Sequence, residues 1–260
     1  MVGTFASVAV PEDLEIFTLA DRPDLESTVR SLPDTFPEFM HHDAAVNRYW
    51  DSLFIDFAGF QIAVCDGEDD VVAAGNCIPV FWDGTTGNLP SGLDGVLERG
   101  VGDLERECAP NVVSALLALV PHAHSGRGLS SVVLGAMKTV AAERGLGAMI
   151  APVRPTLKDR YPLTPMERYV SWERSDGHPF DPWLRVHRRL GAEFLRVAPR
   201  SMVITGTVSE WEEWTGMHFP ESDAYVVPGA LRPVVMHLER DIGIYEEPNV
   251  WMRHPVAVER

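Results

Sequence analysis

The sequence predicts an α/β (α+β) domain with a mixed central sheet flanked by helices. Apolar runs of strand length alternate along the chain with stretches of helical periodicity. Residues 111–153 read as strand, glycine turn, helix and strand, the pattern of a right-handed crossover between parallel strands. The step Asp66-Gly67 separates two further apolar runs, as in an antiparallel hairpin. With 260 residues, 45% of them hydrophobic, the chain suits one elaborated domain over 1–260, with insertions at 83–110 and 154–182 and a C-terminal elaboration at 209–260.

The elements follow in order. Leu14 to Leu19 reads as a strand, and Asp21 with Pro23 then opens a helix carrying Leu25, Val29 and Leu32. Asp43 caps a second helix with Val46, Trp50, Leu53 and Phe57 on its apolar face and Gly59 as its stop. Phe60 to Cys65 and Val71 to Val80 form the hairpin. Residues 83–110 read as an insertion loop holding at most one helix. Asn111 to Val120 is a strand, 130–144 a helix closed by Gly145, and Ala148 to Val153 the next strand. Within the 154–182 excursion, Thr164 and Glu167 have the spacing of a capping box. Asp181 and Pro182 start a helix bearing Trp183, Val186, His187 and Leu190, which Gly191 ends. Phe194 to Val208 is a strand broken by Pro199, Ser209 and Glu212 suggest a second capping box, and Tyr225 to His254 reads as one or two strands.

Composition narrows the function classes. Lysine plus arginine count 22 against 38 aspartate plus glutamate, a formal charge of −16, which repels nucleic-acid backbones and anionic lipid but steers a cationic amine inward. Neither a membrane-spanning run nor a signal peptide is visible, so the expected location is cytoplasmic. Cys65, Cys77 and Cys108 form no Cys-x-x-Cys pair and read as small buried hydrophobes. His41-His42-Asp43 and His122-x-His124 lack companions at ligand spacing, so no metal site is expected.

The loop between strand and helix carries the chemistry. Gly126-Arg127-Gly128 precedes a helix start, where backbone N–H groups and the positive helix end can cradle a pyrophosphate. A dinucleotide fingerprint needs an acid ending the next strand, and Ala148 to Val153 has none. A mononucleotide loop needs Gly-Lys-Ser or Gly-Lys-Thr, also absent.

What remains resembles the GNAT superfamily, the acyl-CoA-dependent N-acyltransferases, whose pyrophosphate loop has the form Q/R-x-x-G-x-G/A. Ser125-Gly126-Arg127-Gly128-Leu129-Ser130 occupies it here, with Gly128 at the central glycine, Ser125 in place of Gln or Arg, and Ser130 in place of Gly or Ala. Downstream, His187-Arg188-Arg189-Leu190-Gly191-Ala192 stands where the family often carries Tyr-x-Lys-x-Gly-Phe. The resemblance covers about 14–80 and 111–206. It implies a fold with a splayed pair of parallel strands and an acyltransferase that uses acetyl-CoA or a related acyl-CoA. The acceptor implied is a small amine.

The same resemblance assigns candidate residues. Leu119, Val120, Ser125, Gly126, Arg127, Gly128, Leu129 and Ser130 are candidates for holding the cofactor. His187 takes the position of the family's tyrosine acid, which protonates the departing thiolate; equally, it lies on an apolar helix face, as a core histidine does. Tyr161, Asp176 and His178 are further catalytic candidates from the excursion, although Asp176-Gly177 is also a turn signal. Tyr169 and Trp172 are candidate acceptor walls, although as aromatics they read first as packing anchors. Many family members place a glutamate on the strand before the loop, and Asn111 to Val120 holds none. That absence leaves two other readings open: thioester decarboxylation or acyl transfer to a carrier-protein thiol, as in GNAT-like loading domains of polyketide synthases, and a non-catalytic acyl-CoA-binding module. A carrier protein and a homodimer stay open as partners.

Overall fold

The computed structural model describes residues 11–67 and 70–256. The first half of the chain runs β1 (Leu14–Thr18), α1 (Glu26–Arg30), α2 (Ala44–Ile55), β2 (Gln61–Asp66), β3 (Val71–Val80), α3 (Leu93–Glu105), β4 (Val112–Leu119) and α4 (Leu129–Glu143). It continues through β5 (Ala148–Val153), α5 (Met166–Tyr169), α6 (Pro182–Arg189), β6 (Glu193–Gly206), α7 (Val208–Thr215), β7 (Ala224–Tyr225), β8 (Val234–His237) and β9 (Ile242–Pro255). The strands make one mixed sheet in the order β1-β2-β3-β4-β5-β9-β8-β7, with β6 also paired to β9. Among the described residues, only β4 and β5 pair in parallel.

Each face of the sheet buries its own helices. On one face Val133, Met137 and Val140 of α4 and Leu184 of α6 pack on Ile62, Val113, Met149 and Val250. Gly75 of β3 permits that approach, because a Cβ there would stand 2.7 Å from both Met137 and Val133. On the other face Leu53 and Phe54 of α2 and Val96 and Leu97 of α3 meet Ile78, Ile150 and Trp251. A third cluster gathers Trp211 of α7, Phe39, Ile204 and Tyr245 around the far end of β6 and β9.

The hairpin, the crossover and the two aspartate caps form as the sequence predicts. Asp43 accepts from the Val46 N–H at 2.8 Å, and Asp181 accepts from Trp183 and Leu184. Gly145 and Gly191 take the left-handed conformation that ends α4 and α6.

Other expectations shift. Asp21 does not cap a long helix: its carboxylate accepts from Thr18 Oγ1 at 2.6 Å, and Pro23–Leu25 is a 3-10 turn before a helix of five residues. The second helix ends at Ile55, ahead of Gly59, and Phe57 reaches the core from the following turn. No capping box forms at Thr164 and Glu167, because Pro165 occupies the N-cap position and has no side-chain acceptor to offer. The second box sits two residues earlier than expected, at Thr207 and Glu210, where both reciprocal hydrogen bonds are made.

Two stretches read as additions are structural. Within 83–110, α3 spans thirteen residues and buries Val96 and Leu97 against the sheet. From the tail, β9 spans fourteen residues and joins β5 on one edge to β6 on the other.

Candidate active site

The parallel strands β4 and β5 meet and then part. Their ladder holds only Val113 opposite Met149 and Ser114 opposite Ile150, while β4 continues to Leu119. Two features drive them apart. On the β3 side, Cys77 pairs with Ala115 and Asn76 with Leu117, so Leu116 is an extra bulged residue that bends β4. On the β5 side, Pro152 removes a backbone donor just past the fork. From Ala115 onward the β4 edge facing β5 has no strand partner among the described residues. Ser114, at the fork, is fully buried and its Oγ has no hydrogen-bond partner among them.

The loop leaves the open arm of this fork. Leu119 and Val120 are half-buried at the end of β4, and Ser125, Gly126, Arg127 and Gly128 are exposed. Gly126 and Gly128 have φ of 79° and 76°, a region that side-chain-bearing residues enter at a cost. Nothing lies within 4 Å of where their Cβ atoms would be, so the space above the turn is open. Gly128 is the N-cap of α4 and supplies no side-chain cap, which leaves the first N–H groups of a fifteen-residue helix for another acceptor. Leu129 anchors the turn in the core, and Ser130 is half-buried beside it. The Arg127 guanidinium lies 3.4 Å from His124 Nδ1 and 3.6 Å from the Asp13 carboxylate. A turn of bare backbone donors with one adjacent guanidinium fits a pyrophosphate.

The excursion forms a wall built on one carboxylate. Asp181, 1% exposed, accepts from Leu157 N–H, from Tyr169 OH at 2.8 Å, and from the first turn of α6. It thereby ties both ends of the segment together. Tyr161, Tyr169 and Trp172 come together with Phe180, with ring centroids 4.9 to 6.2 Å apart. Asp176 and His178 stand elsewhere, in an exposed turn where the Asp176 carboxylate accepts the His178 backbone N–H and lies 3.5 Å from Arg174.

His187 lies in the last turn of α6 with its ring turned inward. Its Nδ1 is 2.9 Å from His254 Nε2 on β9, and Trp183 covers it edge-on at 4.5 Å. Burial, then the neighbouring His254 ring, holds its pKa well below the usual histidine range. His187 Nε2 is buried without a partner among the described residues. The sequence marks His254 only as the end of a strand region and not as a site candidate, although Val250, Met252 and His254 alternate onto one face of a strand.

A second buried polar group also lies outside that reading. Glu247 on β9 is fully buried. It accepts from Arg154 Nε, Tyr245 OH and Asn249 Nδ2. Among the described residues no three histidine, cysteine, aspartate or glutamate side chains converge as a metal site, and no helix is long and apolar enough to cross a membrane.

This architecture has counterparts among known proteins. The GNAT-like loading domain of CurA from Lyngbya majuscula superposes with a TM-score of 0.55 at 15% identity, covering 93% of this chain and 97% of that one. The GphF GNAT-like decarboxylase, solved with isobutyryl-CoA, gives 0.52 at 13% identity over 94% and 99%. In sequence, the chain is 30% identical over 281 aligned positions to avaD, an arginine N-acetyltransferase of Aspergillus versicolor, with 96% of each chain covered. The chain belongs to the GNAT superfamily. No protein-family model matches it. As a GNAT member akin to an N-acetyltransferase along nearly its whole length, it is an acyltransferase.

Proposed function

We propose that this chain transfers an acetyl or other short acyl group from its coenzyme A thioester to the amine of a small basic acceptor, arginine or a close analogue. The observation that carries the reading is the glycine turn at the uncapped start of α4, set where β4 and β5 part. The backbone of Gly126 to Ser130 would hold the pyrophosphate with Arg127 beside it, and Leu119 and Val120 would line the pantetheine arm in the fork. Bound acyl-CoA supplies an activated thioester. The chain's own residues position it, wall off water with the Tyr161, Tyr169 and Trp172 cluster, and handle one proton at His187. The choice of acceptor is supported by the arginine N-acetyltransferase relative and by a formal charge of −16, which favours a cationic substrate.

The test is a titration calorimetry run with acetyl-CoA, followed by a free-thiol assay with arginine and mass measurement of the product. Saturable binding with thiol release only in the presence of amine, and an acetylated arginine product, is expected. Thiol release without any amine would mean hydrolysis of the thioester and contradict the reading, whereas loss of CO2 from a β-carboxyacyl-CoA, or acyl loading of an added carrier protein seen by mass measurement, would favour the decarboxylase or carrier-protein reading. Binding without release would make the chain a non-catalytic acyl-CoA module.

A further inference from the structure

Past the end of β5, the excursion and the segment before β8 frame an open cavity of about 370 Å3, a volume ordinary for a small-molecule site. Val250 of β9 pairs with Val153, the last residue of β5, and with Val197 of β6. Val197 lines the cavity, as does Pro248, two positions before Val250. Met166 of α5 and Leu231 line it as well, and both belong to the core cluster under α4 and α6. The lining is mostly apolar, and its charged members are Lys158, Arg232 and Glu167.

Lys158 is unusual among these groups. It is 1% exposed, and its ammonium donates to two neutral acceptors, the Tyr161 carbonyl at 2.8 Å and the Leu231 carbonyl at 2.5 Å. An ammonium has three N–H donors, and the third has no acceptor among the described residues. No carboxylate of those residues lies within 4.0 Å of it, and Asp159 favours its charge only from farther off. Burial, then the Arg232 guanidinium, lowers Lys158 to about 8, so it still carries its proton at pH 7. Arg232 spends one donor on Glu246 at 3.3 Å and is otherwise half-exposed, while Glu167 is exposed. A buried charge without a counter-ion is costly unless something pairs with it. A carboxylate in the cavity can accept from the third N–H of Lys158 and from the remaining donors of Arg232.

We propose that this cavity binds the carboxylate group of a small organic acid, held by Lys158 Nζ and Arg232, with the body of the molecule against Val197, Leu231 and Pro248. Two sources supply that chemistry. One is the acceptor itself, where it is an amino acid such as arginine, and that source rests on the acyl-transfer reading above. The other is a separate organic acid that takes no part in transfer. The competing account makes Lys158 a clip that ties the excursion at Tyr161 to the segment before β8 at Leu231. A clip alone leaves one donor of a buried ammonium unused and its charge unpaired.

The test uses the full chain labelled with 13C-lysine. Lys138 and Lys158 are its two lysines, so two side-chain signals appear, and the one that survives in Lys138→Arg belongs to Lys158. Arginine, agmatine (the same molecule without its carboxylate) and isovalerate (a carboxylate without a basic group) are added in turn at millimolar concentration. A saturable shift of the Lys158 signal, with a rise in its pKa, is expected for arginine or isovalerate and not for agmatine. Arg232→Gln should weaken that binding about 10-fold, and an unchanged affinity in this variant overturns the two-cation site. A Lys158 signal that neither carboxylate moves, or that agmatine moves as far, overturns the proposal and leaves the clip. Kinetics separates the two sources. A KM for arginine raised about 10-fold in Arg232→Gln, with kcat and the KM for acetyl-CoA unchanged, makes the acceptor's carboxylate the occupant, whereas binding with an unchanged arginine KM makes it a separate acid. The decisive signal is read in protein that keeps Lys158, so no variant lacking the clip has to fold. A wild-type protein that binds a carboxylate at Lys158 yet acylates no amine defeats the acyl-transfer reading and leaves the cavity's role standing.

Discussion

Two buried polar groups on the same strand are treated in opposite ways. Glu247 is enclosed by Arg154, Tyr245 and Asn249, and Arg154 also donates to the Gly229 carbonyl. Eight positions away in register from Met202, which pairs with Glu247, the sheet reaches Phe194 and the His187–His254 layer, where one ring nitrogen of each histidine has no partner among the described residues. An enclosed charge with every acceptor used holds strands together, whereas each imidazole keeps one buried nitrogen unpartnered among the described residues, and the proposed function gives the one on His187 the reaction's proton. Under the proposed function, the difference separates structure from chemistry within one core.

The largest effect that would break this contrast is on stability. Arg154→Met leaves the Glu247 carboxylate buried and uncompensated, so unfolding free energy should fall by roughly 3–5 kcal/mol. Denaturant titration checks it, with the acetyl-CoA affinity of the folded fraction unchanged. A loss under about 1 kcal/mol would mean that the network is not what ties β5 to β9.

Gly128→Val acts on the cofactor end instead. A valine at φ 76° forces the turn to reshape and withdraws its donors. Acetyl-CoA affinity measured by calorimetry should fall by about 100-fold or more, in line with losing several charge-assisted hydrogen bonds, while the thermal midpoint moves little. Equal affinity in both proteins would remove the loop from the account.

A smaller effect concerns pH. Asp94 at the start of α3 is raised to about 7, first by burial and then by the neighbouring Asp43 charge. The folded protein therefore binds a proton that the unfolded chain has already released above an ordinary carboxylate pKa. Stability from this group is present at acid pH and is lost as pH rises toward 7. Thermal midpoints across pH 4 to 8 should show that decline, and Asp94→Asn should flatten it.

Much of this arrangement was legible in the sequence where the cause is local. Asp43 and Asp181 announce their helices because a cap bonds to N–H groups two or three residues on, and Gly126 to Leu129 reads as an anion turn because strand, glycine and helix are contiguous. The rest depends on distant residues. Thr207 rather than Ser209 caps α7 because β6 ends at Gly206, a boundary set by pairing with β9. His254, Arg154 and Glu247 acquire meaning only when β9 inserts beside β5, since 93 residues separate Arg154 from Glu247. Proline spacing hid the same region, as Pro165 displaced an expected cap.

The most direct measurement compares turnover and thermal midpoint in His187→Phe. Phenylalanine keeps the apolar packing beside Trp183 but leaves His254 without its ring partner, so the midpoint should fall in any case, and the account predicts in addition a drop in arginine acetylation of roughly 100-fold or more, the scale of a lost proton carrier. Turnover near the wild-type value in the folded variant would contradict it, and would make the histidine pair a structural contact like that of Glu247.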